Sequence, residues 1–112
     1  MACRTLLLLG SLLVAACSNE VAGGKADGKA VFAETCARCH GPSGKPSESM
    51  AAQLGVRDLT APEFRARVSR ELVENQVRKG SDNKLMPSFV GALSDAQIDA
   101  VADYVLTLSA PK

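Results

Sequence analysis

The chain has 112 residues, room for one domain, and its 13 Lys and Arg against 12 Asp and Glu leave a formal net charge of +1. With no stretch that interleaves basic and aromatic residues, that balance gives no sign of nucleic-acid binding. Three Phe, one Tyr and no Trp leave a core to be built mainly from aliphatic side chains, so a domain this small needs apolar mass or a covalent staple from another source.

Arg4 precedes an apolar run over residues 6–16, too short to cross a bilayer as a helix and laid out like a secretory signal. Residues 1–16 are therefore set apart from the fold as a signal peptide. The run closes on Val14-Ala15-Ala16-Cys17, and polar Ser18-Asn19-Glu20 follow at once. This pattern resembles the lipobox of bacterial lipoproteins, in which cleavage leaves the cysteine first and lipid is joined to its sulfur. The resemblance implies lipid attachment at Cys17 and several acyl chains, which tether a protein stably without spanning. With Ser18 rather than Asp next, it is also compatible with outer-membrane sorting. The competing reading is an ordinary signal with an incidental Cys17. Residues 17–26, with Gly23-Gly24 and no apolar period, read as a lipidated terminus and flexible tether. Nine extended residues reach about 30 Å.

Asp27 is the expected N-cap of a helix in which Gly28, Val31, Phe32, Thr35, Cys36 and Cys39 recur at three-and-four spacing and which Gly41-Pro42 stops. Cys36, Cys39 and His40 then project together from its final turn. Residues 41–49 carry Gly, Pro and Ser and read as loop. Thr60 and Glu63 resemble a capping box opening a short helix over about 62–68, with Pro62 tolerated in its first turn. A further helix over about 70–79 places Leu72, Val73, Gln76 and Val77 on one side and ends at Gly80. The nearest thing to a basic patch, Arg65, Arg67, Arg70, Arg78 and Lys79, is mixed with Glu63, Glu71 and Glu74 and reads as a solvated helical face. Residues 81–93 return to loop. Ser94 and Gln97 form a second capping-box pattern, opening a helix to about residue 109 with Ile98, Val101, Tyr104, Val105 and Leu108 inward. No segment alternates as a strand, so the fold class is all-α.

The most informative residues are Cys36-Ala37-Arg38-Cys39-His40. Cys-x-x-Cys-His is the spacing of c-type haem attachment, in which both thiols form thioethers and the imidazole becomes the proximal iron ligand. A buried haem would also supply the missing apolar mass. Three alternatives compete. A zinc site needs a fourth ligand, and after processing no other Cys or His is left, so it would have to borrow a carboxylate or a water. A thioredoxin-like pair expects a βαβ context, which is absent. A buried, unmodified cysteine pair leaves the adjacent His40 unexplained. The four cysteines resolve without a disulfide: Cys3 leaves with the signal, Cys17 takes lipid, and Cys36 and Cys39 take haem.

His40 is the only histidine, so a second protein ligand to the iron must come from Met50 or Met86. Met86 sits in a loop over residues 80–89, long enough to wrap across the other haem face and stiffened by Pro87. Met50 follows closely on the attachment loop, from where that face is harder to reach. Core filling is the competing role for either methionine, and the Met-Pro loop favours ligation by Met86.

Taken together, these features resemble class I cytochrome c of the small monohaem bacterial kind over residues 27–109. Gly28 and Phe32 with Val101 and Tyr104 look like that family's crossed terminal helices, Cys36, Cys39 and His40 match its attachment motif, and Met86-Pro87-Ser88-Phe89 looks like its axial-methionine loop. The resemblance implies a domain over 27–112 with the cytochrome c fold, four to five short helices around one covalently attached haem c. His40 and Met86 would ligate the iron, and Leu59 and Pro87 would pack on the haem. It implies an electron carrier rather than an enzyme, passing one electron between redox protein donors and acceptors. Its place would be the bacterial periplasm, lipid-anchored to the inner or outer membrane. Methionine ligation implies a comparatively high potential. One position departs from the family, in which a proline often precedes the stretch corresponding to Asp58-Leu59 and its carbonyl orients the proximal histidine. Arg57 stands there, and a backbone carbonyl can still accept that bond. Arg57 and Lys84 are candidates for the haem propionates. The alternatives are a haem enzyme or a peroxide- or gas-binding protein with a labile Met86, and a zinc or thiol module without haem.

Overall fold

The computed structural model describes residues 26–109; the signal segment, Cys17, the tether to residue 25 and residues 110–112 lie outside the described residues. The first helical rod opens where Asp27, in extended backbone, accepts the N–H groups of Lys29 at 3.0 Å and Ala30 at 3.3 Å. It runs through α1 (Gly28–Val31), a π-helical turn (Phe32–Cys36) and α2 (Ala37–His40), and stops at Gly41 with φ of 80°. The wide turn is the one departure from the regular helix expected here.

Ser47 then caps α3 (Glu48–Leu54), its hydroxyl accepting the Met50 N–H at 3.2 Å, and left-handed Gly55 ends it. The start of this helix was expected as loop. It buries no residue, so no apolar period marks it in the sequence. The Thr60 capping box is also corrected. Ala61 occupies the cap position without a side-chain bond, and the Thr60 N–H and hydroxyl both donate to the Asp58 carboxylate, at 2.8 and 2.6 Å. Pro62 opens α4 (Pro62–Arg65), shorter than expected.

α5 (Arg70–Lys79) has the span and the Gly80 stop that the sequence predicts, and Ser69 caps its start. α6 (Asp95–Thr107) opens with the reciprocal box: the Ser94 N–H donates to Gln97 Oε1 at 2.9 Å, and the Gln97 N–H to Ser94 Oγ at 3.2 Å. Counting the first rod once, the described residues form five helices, with only an isolated bridge between Val90 and Leu93. No helix among the described residues is long and apolar enough to cross a membrane.

α6 is the axis of assembly, packing on both α1 and α5. At the first crossing a Cβ on Gly28 would lie 2.0 Å from the carbonyl oxygen of Ala100, so only glycine permits the approach. Phe32 and Tyr104 close the same crossing, ring centroids 5.3 Å apart and tilted by 55°. Phe32, Ile98 and Val101 are the largest fully buried side chains. Three of the basic residues expected on a solvated face instead join elements. Arg70 pairs with Glu74 and Asp103 at 3.0 and 3.1 Å, and Arg78 with Asp95 at 2.7 Å, tying α5 to α6. Arg65 donates to the carbonyls of Val105 at 2.9 Å and Leu106 at 2.7 Å, satisfying the open end of α6.

Candidate functional site

Between the first rod, α5 and the loop after it lies a cavity of about 400 Å³, within the range of small-molecule and cofactor sites. Cys36, Cys39, His40, Leu59, Met86 and Pro87 all stand in its wall. Phe32, Val73, Val77 and Phe89 supply apolar lining, and no carboxylate residue takes part. The first rod delivers Cys36, Cys39 and His40 from its last turns, the wide turn ending at Cys36. π-helical turns of this kind recur at functional sites.

His40 Nδ1 lies 2.9 Å from the carbonyl oxygen of Arg57. A carbonyl only accepts, so Nδ1 carries the proton and the lone pair of a neutral ring is left on Nε2. Burial holds the imidazole below its usual range, against the raising effect of that hydrogen bond and with a smaller lowering contribution from the Arg57 charge. Burial, with nearby Cys39 adding to it, pushes the Cys36 thiol up to about 11. Cys36 and Cys39 form no disulfide, so both sulfurs are available to a cofactor.

Met86 is half-buried and its backbone is held on both sides. Its N–H donates to Ser81 Oγ at 3.0 Å and its carbonyl accepts the Ser81 N–H at 2.9 Å. Gly80, with φ of 74°, lets the chain pass, since a Cβ there would sit 2.5 Å from the Met86 carbonyl oxygen. The loop returns to α5 through Ser88 Oγ to Arg78 O at 2.6 Å and Phe89 N–H to Val77 O at 3.0 Å. Met50 is not in the cavity wall; it borders a separate shallow depression beside Cys39 and Pro42.

Of the two basic candidates for propionates, Arg57 is in the wall and Lys84 is not. Lys84 instead makes the turn after Asn83 with φ of 64°. Thr35, Arg67, Gln76, Ser81 and Asn83 complete the polar part of the wall, and the sequence singles out none of Arg67, Gln76, Ser81 and Asn83 for the site. Gln76 left one signal, a polar side chain one turn from Val73 and Val77 on an otherwise apolar face. Among the described residues no group of three or more His, Cys, Asp or Glu could hold a metal ion, which leaves the zinc alternative without a ligand set. One imidazole, one thioether sulfur and two thiols stand together on an apolar cavity, and the chemistry of that set fits a covalently held haem.

Residues 23–105 match the family model described as cytochrome c oxidase, cbb3-type, subunit III. The chain belongs to this family of c-type cytochromes. It is similar to cytochrome c6 of Microcystis aeruginosa, 40% identical over 80 residues that cover 71% of this chain and 91% of that protein. Cytochrome c6 of Leptolyngbya boryana is 39% identical over 89 residues, 80% of this chain and 92% of that one. Among solved structures, the KustC0563 c-type cytochrome superposes with a TM-score of 0.66 at 26% identity, covering 74% of this chain and 98% of its own. The protein is thus a small monohaem class I cytochrome c with the all-α cytochrome c fold and covalently bound haem c, and its function is electron transfer with redox partners.

Proposed function

We propose that Cys36 and Cys39 carry the haem, that His40 Nε2 and Met86 Sδ are the axial ligands, and that the cytochrome is an exported carrier tethered to a membrane through lipid on Cys17. The observation that carries the site is the 2.9 Å hydrogen bond from His40 to the Arg57 carbonyl, in a cavity whose wall also holds both thiols and Met86. That bond orients the ring and raises its basicity as a ligand. Cys36 and Cys39 would hold the haem through two thioether bonds, formed by addition of S–H across a double bond with no oxidant consumed. When bound, the haem supplies an iron that gains and loses one electron reversibly.

The residues around it serve that exchange. Leu59 and Pro87 pack against the haem and keep water from it, and the apolar wall with a methionine sulfur favours the ferrous state, giving a comparatively high potential. Arg57 and Arg67 stand in the wall and would supply cations to the haem propionates. His40 and Met86 would together hold the iron, leaving it to exchange electrons and not to bind substrate, and this favours a carrier over an enzyme. Residues 1–16 are read as the signal peptide, 17–26 as the lipidated tether and 27–112 as the haem domain, in the bacterial periplasm on the inner or outer membrane.

The test is the matured protein. One added haem by intact mass, a pyridine haemochrome of the two-thioether type, and loss of the methionine-to-iron absorption band in Met86→Ala are the expected results. Rapid carbon monoxide binding by the reduced wild type at neutral pH would point to a labile Met86 and overturn the carrier reading. Release of Cys17→Ser from the membrane fraction, with loss of the lipid mass, tests the anchor.

A further inference from the structure

We infer that Ser81 is a positioning residue for Met86, its hydroxyl setting how firmly the methionine is held to the iron; this rests on the reading of Met86 as axial ligand. Met86 has two backbone hydrogen-bonding groups and Ser81 takes both, one with its hydroxyl and one with its N–H. The hydroxyl has a single proton with two acceptors in reach, Asn83 Oδ1 at 2.7 Å and the Met86 carbonyl at 3.4 Å. The shorter contact takes it. That choice leaves an oxygen lone pair for the Met86 N–H. Asn83 Oδ1 is itself fixed, because it also accepts the Leu85 N–H at 3.1 Å.

Ser81 is anchored in turn to the end of α5. The Gly80 N–H donates to Gln76 O at 2.8 Å, and Gln76 Nε2 donates back to Gly80 O at 2.7 Å. On the far side of Met86, Pro87 has no N–H to give, and the next attachments are those of Ser88 and Phe89 to α5. Among the described residues, Ser81 Oγ is the side-chain acceptor to which the Met86 N–H donates. A neutral thioether is a weak, exchangeable ligand. Its occupancy therefore depends on how well the loop presents it, and a preorganised loop keeps the ligand bound by limiting the alternatives. The hydroxyl is the part of that loop that can be removed without touching the core.

The experiment is imidazole titration of the ferric holoprotein, followed by the Soret band and the methionine-to-iron band. Ser81→Ala is expected to bind imidazole about tenfold more tightly, the size of one lost hydrogen bond, while Ser81→Thr stays at the wild-type value. In a Met86→Ala background the same Ser81→Ala change is expected to do nothing, since the residue acts through Met86. Wild-type affinity in Ser81→Ala, or an equal rise in the Met86→Ala background, overturns the proposal. An unaltered spectrum in Met86→Ala alone overturns the ligand reading first and the role of Ser81 with it. Should Ser81→Ala fail to mature, exposed Asn83→Ala removes the acceptor that aims the hydroxyl. A rise of about threefold is expected there, and none overturns the proposal.

Discussion

His40 Nδ1 and the carbonyl oxygen of Arg57 meet at 2.9 Å across seventeen residues of chain. The partner is backbone, so the side chain at 57 is free to vary without disturbing the ring. Arg57→Ala is expected to take up haem and keep the axial-ligand bands of the wild type in both redox states. A changed ligand spectrum would show that the guanidinium, and not the carbonyl, fixes the imidazole.

Gly28→Ala sets two effects against each other. Alanine is the better helix former by about 1 kcal/mol. Against that, its Cβ meets the Ala100 carbonyl oxygen at 2.0 Å, and a backbone atom in a packed crossing cannot swing aside as a side chain does. Overpacking costs about 1–3 kcal/mol and the upper end applies, so a net loss of about 2 kcal/mol is expected. Denaturant unfolding of the holoprotein measures it, and unchanged stability would mean that α1 and α6 do not cross as described.

Arg65→Ala removes two bonds from a charged donor to the last carbonyls of α6. The side chain is half-buried, so the expected loss is about 2 kcal/mol, and Arg65→Lys recovers only part because an ammonium cannot span both oxygens. Hydrogen exchange localises it: amides near the end of α6 should open before those at the Ser94 cap.

Asp58 gives the acid dependence. The Thr60 hydroxyl, ahead of the opposing effect of burial, holds its carboxyl below the usual carboxylate range. A carboxylate whose folded pKa is depressed contributes stability that is fully present above its unfolded value of about 3.9 and is lost as pH falls through the folded value. The wild type should therefore exceed Asp58→Asn by a constant margin between neutral pH and about 5, and the two should converge in acid. A margin that stays open below the folded value would assign the effect to geometry and not to charge.

What the sequence made legible is what short spacing encodes. The caps at Asp27 and Ser94, the glycine stops at 41 and 80, and the place of Cys36, Cys39 and His40 at the end of the first rod each depend on a few neighbouring residues, and each is found where expected. The helix over residues 48–54 left no trace because it buries nothing. Thr60 was misassigned because Asp58, two residues back, competes for the same hydroxyl. The clamp from Arg65 to Val105 spans forty residues, and the wall positions of Arg67 and Asn83 depend on how α4 and the Met86 loop fold back, which local pattern does not report.

The wide turn at Phe32–Cys36 has a consequence for how such a chain can change over time. One piece of helix must show Phe32 to α6 and, within two turns, Cys39 and His40 to the cavity. Each residue added to or removed from a helix rotates everything beyond it by about 100°. Substitutions at the exposed positions Lys29, Ala30, Ala33 and Glu34 are therefore far more tolerable than a single insertion or deletion between Phe32 and Cys36, which would turn the attachment residues away from the cavity while leaving the crossing intact. The distance between the two is a count that the gene must keep.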